Sequence, residues 1–299
     1  MRVLRTIRED LDKLLLAGSI AREARERGIQ LSQPGAIMLD VVEEVEELII
    51  RRGGKPAFPV NIGIDSVAAH YTPPSGSSER FPSKGVVKFD VGVHVDGYVA
   101  DTAATGDLGG NNQALIGSAR KALEEVIPLI KPGASIRLIG STIEKTITSI
   151  GYRPVTNLMG HSIERYNLHA GFNVPNTGST ADVTIPREIV IAVEPFATGG
   201  KGFVVSGRNG NIFSLSREKE LDDEESLSML SVIRERFSTL PFAERWLSDQ
   251  HRHREILNRL ARRGVIHAYQ TLLEAGGGQV SQWEHTIIVG RDGVIASSM

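Results

Sequence analysis

The sequence predicts an α+β domain, and three observations carry that prediction. Valines alternate with small or polar residues on both sides of Asp96-Gly97, the pattern of a β-hairpin with a two-residue turn. Two helix-forming stretches follow, Asn111 to about Ile130 and Ser135 to Ile150, closed by Pro132-Gly133 and by Gly151. Beyond them, the β-signals Ile189–Val193 and Gln282–Val289 flank a charged, helix-forming segment from Ser206 to about Tyr269. That segment reads as a helical insert, approximately 206–269, in a single domain spanning 1–299.

Ahead of the hairpin, Leu4, Ile7, Leu11, Leu14 and Leu15 fall at helical spacing, with Gly28 as the expected stop. A second helix is expected from about Ala36 to Ile50, ended by Gly53-Gly54, with Glu43, Glu44, Glu46 and Glu47 on a solvated face. In Lys55–Asn61 two prolines bracket Phe58, so the segment is stiff and extended and fixes one aromatic ring. His70 precedes a Pro73-Pro74 break and either looks into a cleft or is hydrogen-bonded inside a buried loop. Pro73 to Pro82, rich in Ser and Gly, is a surface loop.

Composition bounds the function. A 40% hydrophobic content with mixed charge suits a globular chain with a sizeable core, and a net charge of −2 gives no electrostatic case for nucleic acid or an anionic membrane. Without cysteine there is no thiol nucleophile, and metal ligands are restricted to His, Asp and Glu. The charged first residues contain no signal-peptide centre, and no apolar run approaches a membrane span, so a cytoplasmic protein is expected. From Ser216 to Arg263 ten Lys/Arg balance ten Asp/Glu, again without a basic footprint.

If Asp96-Gly97 forms the turn, opposed residue numbers sum to 193, and Asp90 and Asp101 become diagonal neighbours on one face. Such neighbours lie roughly 7–8 Å apart, so both carboxylates reach one pocket around a cation, or both are solvated on an open face. Glu194, at the end of the buried strand Ile189–Val193, and Glu284, between bulky apolar residues, each need a partner. His161 and His169, eight apart, are a weak signal in isolation. Gly199–Gly202 lacks P-loop spacing and reads as a flexible turn; His251 and His253 read as solvent-facing, and His94 and His267 as without an obvious partner.

Together Asp90, Asp101, His161, Glu194 and Glu284 make a mostly oxygen donor set with one imidazole, suited to a pair of divalent ions such as Mn, Co, Fe or Zn. In this order the five match the dinuclear site of the pita-bread (creatinase/aminopeptidase) metallopeptidases. The surrounding motifs resemble the type II, archaeal and eukaryotic-like methionine aminopeptidases: Pro56-Ala57-Phe58-Pro59, Ala68-Ala69-His70-Tyr71-Thr72-Pro73, Gly160-His161-Ser162-Ile163, Leu168-His169-Ala170-Gly171, Glu194-Pro195-Phe196, Thr239-Leu240-Pro241-Phe242 and Gln282-Trp283-Glu284-His285-Thr286. The two glutamates lie 90 residues apart, which fits the type II helical insert. Trp283 stands where the family commonly has Phe, and most of Ser206–Leu240 has no match.

The resemblance implies a pseudo-two-fold pita-bread fold and removal of the initiator methionine from nascent chains with a small second residue. A hydroxide bridging two divalent ions would attack the scissile carbonyl, with Glu194 shuttling its proton. It also implies that His169 stabilises the oxyanion, that His70 hydrogen-bonds the backbone beyond methionine, and that Phe58, Leu168, Pro241 and Tyr269 line the methionine slot. A monomer is implied, with the nascent polypeptide as partner and the ribosome as a candidate one. Two rivals share the fold: a prolidase-like or aminopeptidase P-like Xaa-Pro peptidase, against which the 89 residues before Asp90 argue, and a non-catalytic binding protein, against which the intact ligand set argues.

Overall fold

The hairpin is the centre of one half of the fold in this computed structural model, which describes residues 11–179, 181, 183–216, 221–291 and 293–299. Its strands β1 (Gly85–Val95) and β2 (Tyr98–Gly109) pair in the expected register, with Val95 opposite Tyr98, Gly92 opposite Asp101 and Asp90 opposite Ala103. Both turn residues have positive φ, Asp96 at 51° and Gly97 at 85°, the backbone that an Asp-Gly hairpin turn requires. Helices α1 (Leu11–Leu31) and α2 (Met38–Arg51) cover one face, burying Ile20, Val42, Val45 and Ile49 against Val87, Phe89 and Val91. Each such side chain, fully buried, contributes roughly 1.5–3 kcal/mol.

Leu14 is buried in α1, whereas Leu4 and Ile7 lie outside the described residues. Gly28 does not stop the helix. It is buried within it, and a Cβ there would come 2.5 Å from the ring of Phe89. The glycine therefore permits close helix–sheet approach, and chain termination falls to Ser32 and Pro34 beyond it.

The other half repeats the plan. Helices α3 (Gln113–Val126) and α4 (Ile136–Ser149) back a five-stranded antiparallel sheet in which β4 (Ile189–Val193) and β7 (His285–Val289) carry the apolar face and β3 (Met159–Ile163) pairs alongside β4. The Ser135 hydroxyl accepts the Leu138 N–H at 3.2 Å and caps α4, as its position before the apolar run predicts. An isolated bridge, Ala103 to Glu284, joins the hairpin to the second half. Among the described residues no helix is long and apolar enough to cross a membrane.

The inserted segment is helical only in its middle. Ser206–Leu215 and Ile266–Tyr269 lie in strands instead: β5 (Val204–Leu215) pairs with β6 (Ile266–Glu274), which pairs in turn with Val67–Ala69. Their strand partners are distant in sequence, so local pattern could not reveal them. Between them α5 (Glu224–Phe237) and α6 (His253–Arg262) enclose a separate apolar cluster with Phe213, Ile233, Phe242 and Leu257.

Glu46 corrects the picture of α2 as having a wholly solvated acidic face. Its carboxylate is buried, pairs with buried Arg245, and accepts the Trp246 indole N–H at 2.8 Å and the Val60 N–H at 3.2 Å. Arg245 also donates to the Thr72 hydroxyl at 2.8 Å, so one buried ion pair fastens the insert to α2 and to the loop after His70. Nor is His253 solvent-facing: it is half-buried against the Glu244 carboxylate. Removing one partner of a buried pair leaves an uncompensated charge, so Glu46→Ala should lower stability by about 3–5 kcal/mol in denaturant unfolding. Glu47→Ala, on the exposed face of the same helix, should change it by no more than about 0.5 kcal/mol; equal effects would dismiss the anchor.

Candidate metal centre and substrate cleft

Three of the five sequence-predicted donors lie within strands, and two lie in short connections between strands. The hairpin brings Asp90 and Asp101 to one face, β3 carries His161, Glu194 follows β4, and Glu284 lies between the strand Val280–Gln282 and β7. Backbone bracing fixes the last of these against the hairpin. Ala103 and Glu284 exchange backbone hydrogen bonds at 3.0 and 3.3 Å, and the Thr102 hydroxyl donates to the Glu284 carbonyl at 2.7 Å. The Thr286 hydroxyl accepts the Asp101 N–H at 2.6 Å and donates to its carbonyl at 2.7 Å.

The side chains converge. Asp101, His161 and Glu284 each offer a donor atom within 4.8 Å of the others. His161 Nε2 lies 3.7 Å from Asp101 Oδ2 and 4.0 Å from Glu194 Oε1. The buried Gln282 amide donates to Glu194 at 3.3 Å and to Glu284 at 3.2 Å. Among the described residues, Asp90 Oδ1, Asp101 Oδ1, Glu284 Oε1 and His161 Nδ1 are buried without a hydrogen-bond partner.

Burial pushes the Asp90 carboxyl up to about 7. It raises Asp101, Glu194 and Glu284 well above the usual range, and neighbouring carboxylates raise these three further. His161 is pulled down to about 3, by burial first and then by His169, so its imidazole is neutral and free to ligate. Clustered acids with orphaned oxygens beside a neutral imidazole fit divalent cations of the Mn–Zn series, which would satisfy those oxygens and offset the repulsion. The alternative of solvated aspartates on an open face is excluded, because Asp101 is buried and Asp90, half-buried overall, has its Oδ1 enclosed.

A cavity of about 240 Å³ opens beside this cluster, and Phe58, Leu168, Pro241 and Tyr269 all line it, as do His70 and His169. A turn between Glu164 and Asn167 folds the chain back so that the His169 ring sits 4.2 Å from that of His161. His70 has φ +62° and packs edge-on to Tyr269 at 5.2 Å, while β5 approaches so closely that a Cβ on Gly210 would lie 1.7 Å from the His70 carbonyl oxygen. Burial drives His70 down to about 4 and also lowers His169, so both stand as neutral imidazoles that can donate one N–H.

Sequence reasoning missed several participants. Asn61, Met159, Ile212 and Leu272 line the cavity too. Ile212 and Leu272 belong to β5 and β6, which had no local strand signature; Asn61 faces Asp90 across the sheet, a pairing that hairpin logic does not reach. The buried Gln282, two residues from Glu284 on an alternating strand, shares its face and could have been found by that parity. His94 lies away from the cluster, where its Nδ1 accepts the Gly97 N–H at 3.0 Å and supports the hairpin turn, and His267 packs edge-on to Tyr269 at 4.7 Å.

Residues 12–290 match metallopeptidase family M24. The methionine aminopeptidase of Thermococcus kodakarensis is 42% identical over 95% of this chain and 98% of its own length. That of Saccharolobus solfataricus is 43% identical over 97% and 98% respectively. Among solved structures, that of a thermophilic Arx1 superposes with a TM-score of 0.85 at 17% identity, covering 97% of this chain and 90% of its own, which bears on the pita-bread fold alone. The two-halved sheet, the converging acids and this kinship give one conclusion: the chain belongs to metallopeptidase family M24 and, within it, to the methionine aminopeptidases.

Proposed function

We propose that this protein is a type II, dinuclear-metal aminopeptidase that removes N-terminal methionine from nascent chains whose second residue is small. The observation that carries the reading is the union of five metal-type donors with a narrow, mostly apolar cavity holding two neutral histidines. Asp90, Asp101, His161, Glu194 and Glu284 are the residues that would hold two divalent ions. Bound there, such ions supply Lewis acidity, lowering the pKa of water and polarising the scissile carbonyl.

The remaining chemistry belongs to the chain. The Glu194 side chain is more exposed than that of Asp101, 13% against 5%, and one of its oxygens is steadied by Gln282. It is the group to take a proton from the attacking water and return it to the leaving amine. His169 donates its N–H to the developing oxyanion, and His70 donates to the backbone carbonyl beyond the methionine. Phe58, Leu168, Pro241 and Tyr269 enclose an unbranched thioether, for which a slot of about 240 Å³ is ample. Crowding near His70 by β5 favours a small second residue. The reading extends to a cytoplasmic monomer acting on new chains, with the ribosome as a candidate partner.

The direct experiment is release of free methionine from Met-Ala-Ser under defined Co, Mn, Fe or Zn. Turnover should need added metal and stop after chelation, and an Ala-Pro-Ser peptide should remain intact. Cleavage of the Xaa-Pro peptide instead would favour the prolidase-like rival, and stoichiometric metal with neither activity would favour a binding protein. Glu194→Gln should reduce kcat by at least about 10²–10⁴-fold with the fold unchanged by circular dichroism, because it removes the proton acceptor. His70→Ala and His169→Ala should lower kcat about 10²–10³-fold while metal content by elemental analysis stays near wild type; parallel loss of metal would make them ligands.

A further inference from the structure

Arg25 is a buried cation linked to the acid cluster through Thr102, although it lies on α1 and outside every motif that the metal-centre reading uses. Only 5% exposed, its Nη1 donates to the Thr102 hydroxyl at 2.6 Å and to the Ser298 carbonyl at 3.2 Å, with His285 Nδ1 at 3.3 Å. Among the described residues, the carboxylate within salt-bridge distance is that of the exposed Glu26, 3.7 Å from Nη2. A guanidinium has no acceptor, so the Thr102 oxygen must receive its proton. The single Thr102 proton is then directed to the Glu284 carbonyl, 2.7 Å away, and not to His285 Nδ1 at 3.5 Å.

We propose that Arg25 is a positioning residue of the metal centre, acting through Thr102 to fix the backbones that carry Asp101 and Glu284 on opposite sides of the cleft. The inference rests on the metal reading above. Thr102 follows Asp101 directly, and the Glu284 carbonyl that it engages also accepts the Ala103 N–H at 3.3 Å, so the contact joins the two halves of the fold at the point where their ligands meet. Partners one step removed from the ligands typically alter metal affinity 10–100-fold.

The test is Co(II) binding to the full chain, read by titration calorimetry and by the visible absorption of the Co(II)-loaded protein, together with the melting temperature before Co(II) is added. Arg25→Met, similar in length but uncharged, should weaken Co(II) binding about tenfold or more and shift the absorption band. Arg25→Lys should recover part of the affinity by restoring charge. Arg22→Met, one turn away on the exposed side of α1, should bind like wild type. A lower melting temperature with unchanged Co(II) affinity and spectrum would make Arg25 a purely structural residue and overturn the proposal. Should Arg25→Met fail to fold, Thr102→Val keeps the side-chain shape and must show the same weakened binding and shifted band; wild-type values there overturn it equally. Wild-type protein that takes up no Co(II) removes the metal reading and the inference together, whereas wild-type uptake with unaltered variants removes the inference alone.

Discussion

Bringing Asp90, Asp101, Glu194 and Glu284 into one buried cleft works against the preference of every carboxylate for water, and the acids' raised pKa values register that conflict. A fold can hold such groups together only if the backbones beneath them are already committed for other reasons. Here the commitment comes from two separately packed halves. The hairpin is pressed by α1 and α2, the second sheet by α3 and α4, and the Ala103–Glu284 bridge locks one against the other. The apolar cores thus supply the stability that the acid cluster consumes, and metal ions would return part of it.

The insert completes the cleft from a third direction. β5 and β6 contribute Ile212, Tyr269 and Leu272, and the stretch after α5 contributes Pro241. None of these can line a narrow slot unless the insert has a fixed orientation, which surface contacts alone would not give. The Glu46–Arg245 pair supplies it: a charged fastening between α2 and the insert that also grips Thr72 just beyond His70. The shape of the cavity and the stability of the fold therefore both depend on a residue outside the cavity lining.

What was legible in the sequence follows from how local its physical cause is. The hairpin register could be read residue by residue because a two-residue Asp-Gly turn admits only one alignment, and side-chain parity then assigns each face. Helices with caps and apolar periodicity, such as α4, were equally visible. Gly28 was misread because glycine near a helix end signals a stop locally, whereas its cause here is the ring of Phe89, 61 residues away. Glu46 was misread for the same reason, its partner being Arg245. The strand ends of the insert pair with each other across 51 to 70 residues, Leu215 with Ile266 and Val204 with Glu274, beyond any local periodicity. Hairpin register paired Asp90 with Asp101, and the cost of burying a carboxylate singled out Glu194 and Glu284, whereas His161 and the residues expected to line the cavity drew their weight from motif resemblance.

Two other acids in the same protein serve as an internal control for the unusual state of the cluster. Glu274 is buried, yet its carboxylate accepts backbone N–H groups from Lys201, from Gly202 at 3.0 Å, from Gly276 at 2.7 Å and from Gly278 at 2.9 Å, and its pKa is lowered. The glycine run at 199–202, which read as a flexible turn, is thus half of a fitted cradle around that side chain. Glu46 is satisfied by a guanidinium, an indole and an amide. Where this chain buries an acid for structure, it surrounds the oxygens with donors. Asp90, Asp101 and Glu284 receive no such treatment, and each keeps an unpartnered oxygen beside a neutral imidazole. A sequence able to build the cradle at Glu274 and the clamp at Glu46 was not short of donors, and the cleft oxygens that it leaves unpartnered among the described residues fit a ligand from outside the polypeptide.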